Sequence, residues 1–164
     1  MILDYSIRTV LVGVGATVVM DLWTLVRARL FGIPAQGYGL VGRWIAGMFR
    51  GQLRHERIAA SPAVRGEVAI GWIAHYLIGI AFAALLLCVW GPEWIRRPTL
   101  APALIVGIGT VLAPFLVMQP GMGAGLFASR TPRPAVARVQ SVITHAIFGL
   151  GLYAAGSLTT FLYR

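Results

Sequence analysis

Four stretches of this chain are long and apolar enough that each, wound as a helix, would cross a lipid hydrocarbon core. They run from about Ile7 to Val26, Val68 to Trp90, Leu100 to Met118 and Val139 to Leu162. A core of about 30 Å needs roughly 20 helical residues. Lipid offers the backbone no hydrogen-bond partners, so such runs must be helices or the strands of a closed barrel. The alternation over about ten residues that marks a barrel strand is absent. Composition points the same way: 58% of residues are hydrophobic and 12% are charged, against roughly a quarter charged in soluble domains. The expected fold is an all-α integral membrane protein, a four-helix bundle forming one membrane domain over residues 1–164.

Turn signals close these runs. Gly91-Pro92 is expected to end the second, and Gln119-Pro120-Gly121 the third. Pro114 lies inside the third run, where it should kink the helix and leave a carbonyl without its usual partner. The connection from Arg27 to Glu67 contains Val41, Trp44, Ile45 and Met48 at helical spacing, with Arg43 and Arg50 outside that stripe. This predicts a short amphipathic helix, either lying in the membrane interface or capping the bundle. Arg54-His55-Glu56-Arg57 reads as a solvated charge run.

All 14 basic residues are arginine, and the net charge is +9. The arginines lie almost wholly between the apolar runs, so no soluble basic domain remains to hold nucleic acid. Anionic lipid headgroups are the expected partner. Arg27, Arg29, Arg43, Arg50, Arg54, Arg57 and Arg65 in the first connection share a side with Arg130, Arg133 and Arg138 in the third. Arg8, Arg96, Arg97 and Arg164 fall opposite. The positive-inside rule then puts the long connections in the cytoplasm of a bacterial inner membrane and both termini in the periplasm. The first run has no basic region before it and no cleavage site after it, so it is expected to remain. Cys88 stands alone, which excludes an internal disulfide.

The chain also repeats itself. Val12-Gly13-Val14-Gly15 matches Val106-Gly107-Ile108-Gly109, and His75 with Gly79 matches His145 with Gly149, in the same order. Two hairpins related by a pseudo-twofold axis along the membrane normal are expected, the parallel class of repeat seen in transporters. Small residues in such helices let backbones approach closely.

Ionisable residues inside apolar runs mark function by default, because placing them there is costly. Asp21 lies six residues before Arg27, roughly 9 Å from that end of the run. His75 and His145 fall at a similar depth, with Gln119, Gln140 and Thr144 near it. One carboxylate with two imidazoles suits a divalent metal ion, a proton relay or a polar solute, and two histidines could ligate a haem. The plainer alternative is that each imidazole is neutral and bonded to a neighbouring helix. A second candidate site is Arg130 and Arg133 after Gly121-Met122-Gly123-Ala124-Gly125, where freed amides and guanidiniums suit an anion or lipid phosphate. No Walker motif, GxSxG elbow or HExxH is present, so a binding or transport role is expected ahead of an enzymatic one. A b-type haem protein and a non-catalytic assembly or lipid-interacting factor are the alternatives, and four short helices make a homodimer plausible.

The strings Phe31 to Trp44 (FGIPAQGYGLVGRW), Arg54 to Pro62 (RHERIAASP), Gly71 to Gly79 (GWIAHYLIG), Ala128 to Pro134 (ASRTPRP) and Thr144 to Tyr153 (THAIFGLGLY) resemble the bacterial family called domain of unknown function 2938. That resemblance spans nearly the whole chain. It implies a small multi-pass membrane protein and places Asp21, His75 and His145 in a recurring pattern, and it brings no activity.

Overall fold

The computed structural model describes residues 2–33 and 37–163. Pro34 to Gln36, inside the first resembling string, and Arg164, counted for orientation, lie outside the described residues. The described chain is all-helical and contains no strand. Four of its helices are long and apolar enough to cross a membrane.

The first, α1, spans Ile2–Phe31 and overruns its apolar stretch at both ends. Asp4 and Arg8 pair at 3.1 Å one turn apart near its start, and Arg27 and Arg29 continue it at the other end. A charge ends an apolar run without ending a helix, since arginine is a good helix former. Gly32, at φ 63, terminates it in the left-handed conformation that glycine adopts at little cost.

Helix α2 spans Tyr38–Met48 and buries Val41, Gly42, Trp44 and Gly47. Helix α3 spans Glu67–Trp90. Glu67 opens it by accepting the Val64 N–H at 2.9 Å, a carboxylate at the end where the helix dipole favours one. Gly91, at φ 84, and Pro92 stop it as expected.

The third apolar span, Leu100–Met122, is interrupted. Helix α4 covers Leu100–Gly109, a π-helical turn covers Pro114–Met118, and α5 covers Gln119–Met122. Pro120 does not end the span, contrary to expectation. It lies in the first turn of α5, where a missing N–H is tolerated, and Gly123 at φ 95 makes the stop. The last helix, α6, spans Pro134–Leu162. It begins earlier than its apolar run because proline fits a first helical position and Arg138 costs hydropathy without costing helix.

By contacts the chain divides into two compact units. One gathers Met1–Ala35, Tyr76–Thr110 and Ile143–Arg164, and the other Gln36–His75 and Val111–Val142. The core of the first contains Val12, Ala16, Leu86, Ile95, Phe148 and Leu152. Its helices meet through small residues. A methyl on Gly13 would strike the Ile80 backbone, one on Gly79 the Thr17 hydroxyl, one on Gly151 the Ala16 backbone, and one on Gly107 the Gly149 backbone.

In the second unit α2 meets the start of α3 just as closely. A methyl on Gly42 would strike the Glu67 carbonyl, and one on Gly71 the Tyr38 carbonyl. Arg43 locks this contact. Its Nε and Nη2 donate to the two Glu67 carboxylate oxygens at 2.8 Å each, and Nη1 donates to the Ser61 carbonyl at 2.7 Å. The Glu67 carboxylate pushes the guanidinium pKa further up, so the bidentate pair stays charged. The apolar face of α2 is thus spent on protein: the Trp44 ring lies against Gly121, and its Nε1 donates to the Leu53 carbonyl at 3.0 Å.

His55 corrects the solvated reading of its charge run. Arg54, Glu56 and Arg57 are exposed, but His55 is buried. Its amide donates to the Gly121 carbonyl at 2.8 Å, and its Nδ1 bonds the Ser61 hydroxyl at 2.9 Å.

Candidate functional site

The first unit carries two hydrogen-bonded polar pairs inside apolar helices. Tyr76 on α3 donates its hydroxyl to Asp21 Oδ2 on α1 at 3.0 Å. Thr110, just past α4, meets His145 Nδ1 on α6 at 2.9 Å. The Thr110 hydroxyl is also 2.6 Å from the Gly107 carbonyl, to which it donates.

Helix register brings the two pairs to nearly one level. Helices α1 and α6 run antiparallel, with Ala16 beside Gly151 and Gly15 beside Ala155. Moving from Ala16 to Asp21, a little over one turn, steps α6 back from Gly151 toward the turn that holds His145. Asp21 with Tyr76 and Thr110 with His145 therefore lie within about one helical turn of each other along the axes.

The break in the third span falls beside this level. Pro114 has no N–H to offer the carbonyl four residues back, which is that of Thr110. Helix α4 ends at Gly109, and the π turn begins at Pro114, closed by the Gln119 N–H reaching the Pro114 carbonyl. Such turns cluster at functional positions.

His75 belongs to the second unit and is engaged differently. The Tyr38 hydroxyl lies 2.9 Å from its Nε2. The Tyr38 ring packs on it at a centroid distance of 4.3 Å, and Trp72 stands edge-on to it at 5.9 Å. Gln119 Oε1 is buried with no hydrogen-bond partner among the described residues. Gln140 and Thr144 are half-buried on α6. Among the described residues no three His, Cys, Asp or Glu side chains gather as a metal ion would require.

Arg130 and Arg133 are exposed. Two amides of the glycine-rich stretch before them are already bonded: Gly123 donates to the Pro120 carbonyl at 3.2 Å and Ala124 to the Gln119 carbonyl at 2.8 Å. These two amides serve the turn, and the Arg130 and Arg133 side chains stay exposed.

A family model described as "Protein of unknown function (DUF2938)" matches residues 10–159. The chain belongs to this family. The DUF2938 match contains all four residues of the two pairs, together with His75 and Tyr38. No curated protein and no solved structure matches the chain.

Sequence reading missed Tyr38, Tyr76 and Thr110. Thr110 was within reach, since it stands four residues before Pro114 and so owns the carbonyl that the proline orphans. The two tyrosines carried no comparable signal, because their partners are set by helix register.

Proposed function

We infer that this chain is a multi-pass inner-membrane protein that binds and moves a small polar solute or a proton at the level of Asp21 and His145. The observation that carries this reading is the interruption of the third span beside the Thr110–His145 pair. Broken helices within an apolar span persist where they face protein or a polar cavity, and transporters build midplane sites on them. Asp21 at the same level is an ionisable residue inside an apolar helix, which is costly to keep there without a use.

Large exposed apolar side chains on all four spans, such as Leu3, Leu77, Ile105 and Phe161, support a lipid surround. The arginine distribution supports cytoplasmic long connections and periplasmic termini. Seven exposed arginines of the second unit (Arg50, Arg54, Arg57, Arg65, Arg130, Arg133 and Arg138) suit anionic headgroups on that cytoplasmic side. The repeat has support from packing as well as from sequence. Gly13 meets Gly79 and Ile80 much as Gly107 meets Gly149, and Thr17 bonds the Gly13 carbonyl as Thr110 bonds that of Gly107. Two hairpins of common descent account for both. Haem ligation is the weaker reading, because His75 already engages Tyr38 through Nε2.

The test uses purified protein in liposomes with a trapped pH-sensitive dye and a panel of labelled solutes. The wild-type protein should carry at least one of them or dissipate an imposed pH gradient. Asp21→Asn and His145→Ala, inserting normally, should lower that flux about tenfold, the scale of one charge-assisted hydrogen bond. Unchanged flux in well-inserted Asp21→Asn removes the reading.

A further inference from the structure

We propose that two neighbouring turns of the second unit, residues 49–53 and 126–127, sink their apolar side chains into the membrane interface, where the arginines beside them bind the phosphates of anionic phospholipids. This assignment rests on the membrane placement of the chain and not on its transport role.

Both turns lie where the third span leaves lipid. That span ends at Met122, so Leu126 and Phe127 follow within a few residues of its boundary. Residues 49–57 are held to the same boundary. The His55 amide donates to the Gly121 carbonyl at 2.8 Å. The Leu53 carbonyl accepts from the Trp44 ring that lies against Gly121, and a methyl on Gly123 would strike the Glu56 carbonyl.

At this boundary the protein leaves large apolar side chains uncovered: Phe49 is 89% exposed, Leu53 63% and Leu126 56%. The first turn is well formed. The Arg50 and Gln52 amides donate to the Gly47 carbonyl at 2.9 and 3.0 Å, and the Gly51 amide, at φ 79, to the Met48 carbonyl at 3.0 Å. A turn whose backbone is satisfied in this way can enter the interface without stranding its N–H groups. The second turn is strained. Phe127 and Ala128 have positive φ, 49 and 57, which side chains disfavour. Arg138 Nε donates to the Phe127 carbonyl and the Thr131 hydroxyl to the Ala128 carbonyl, at 2.8 Å each. The Phe127 ring thereby packs on Phe115 of the π turn, at a centroid distance of 5.2 Å, and so points back along the span. Strain persists where something offsets it, and burial of Leu126 and Phe127 in lipid is such an offset.

Charge decides the lipid. Arg50, Arg54, Arg57, Arg130 and Arg133 flank these side chains and are exposed, and Glu56 is the one acid in residues 49–57 and 126–133. An apolar side chain beside a guanidinium matches the boundary between acyl chain and phosphate, because one sinks while the other reaches the headgroup. With the apolar face of α2 spent on protein, the interfacial contact expected of that helix passes to these turns.

The experiment labels Phe49→Cys and Phe127→Cys, each in a Cys88→Ser background, with bimane. The proteins are reconstituted in vesicles of phosphatidylcholine with phosphatidylglycerol, and of phosphatidylcholine alone. In the anionic vesicles both probes should be quenched by lipids carrying a nitroxide high on the acyl chain and screened from aqueous iodide. Joint replacement Arg50→Gln, Arg54→Gln, Arg130→Gln and Arg133→Gln should remove the difference between the two vesicle types. It should also lower co-purifying phosphatidylglycerol severalfold, as counted by native mass spectrometry. Phe49 touches so little protein that its replacement leaves folding intact, which keeps the test valid if Phe127→Cys fails to fold. Probes open to iodide and beyond reach of the nitroxide lipids overturn the proposal and leave this face to water or an acidic protein. Lipid-buried probes that behave alike in both vesicle types overturn the headgroup assignment. Flux through Asp21→Asn is independent of either result, so failure here and failure of the transport reading are told apart.

Discussion

Gly107 and Gly149 meet backbone to backbone, and the energetic sign of adding a methyl there follows from what surrounds it. Alanine gains roughly 1 kcal/mol over glycine in a helix, but the added carbon at Gly107 would lie against main-chain atoms that cannot rotate away. Overpacking of this kind costs about 1–3 kcal/mol, so Gly107→Ala is expected to destabilise, read as a lower midpoint in detergent-based unfolding. Phe148 gives the opposite case. It is 2% exposed and packs edge-on to Phe82 at 6.1 Å, so Phe148→Ala opens a cavity and should cost about 3–5 kcal/mol in the same assay. His55 shows what a single residue can hide. Its neighbours in sequence are charged and exposed, while its amide meets the Gly121 carbonyl across a large gap in sequence and its ring bonds the Ser61 hydroxyl, contacts that hold it inside.

Among the elements, the broken third span and the latch on α2 are the ones whose behaviour can be changed by one substitution. Pro114→Ala supplies the missing N–H to the Thr110 carbonyl, so the span should become more regularly helical and no less stable while flux falls. Circular dichroism and the liposome assay read the two effects separately. Removing the latch with Arg43→Ala leaves Glu67 without its bidentate partner and α2 without its tie to the Ser61 carbonyl. Trypsin should then cut at Arg50, Arg54 and Arg57 several times faster than in the wild-type protein, as seen on a time course of the intact band. The existence of these elements was legible in the sequence because hydropathy and the spacing of Val41, Trp44 and Met48 are local properties. Their ends were less so. Arginines at 27, 29 and 138 dilute hydropathy without stopping a helix, and Pro120 reads as a terminator until the π turn before it is known. The site was legible in part: Asp21 and His145 announce themselves as ionisable residues in apolar runs, but Tyr76 and Thr110 are chosen by how two helices slide past each other.

For the molecule as a whole, orientation is the property open to the most direct check. In a Cys88→Ser background, Arg57→Cys is expected to react with a membrane-impermeant maleimide only after permeabilisation, and Arg97→Cys in intact cells; the reverse pattern would invert the topology. The division of the chain into two units has a consequence for how the protein is made. Each unit is assembled from stretches that alternate along the chain, so neither is complete when the ribosome has delivered the first two spans. Helices α1 and α3 can meet at Gly13 and Ile80 early, but Phe148 and Leu152, which fill the core beside them, arrive last. The early pair of helices therefore keeps an unfilled core face until the final helix is made, and is open to wrong contacts and proteolysis for that interval.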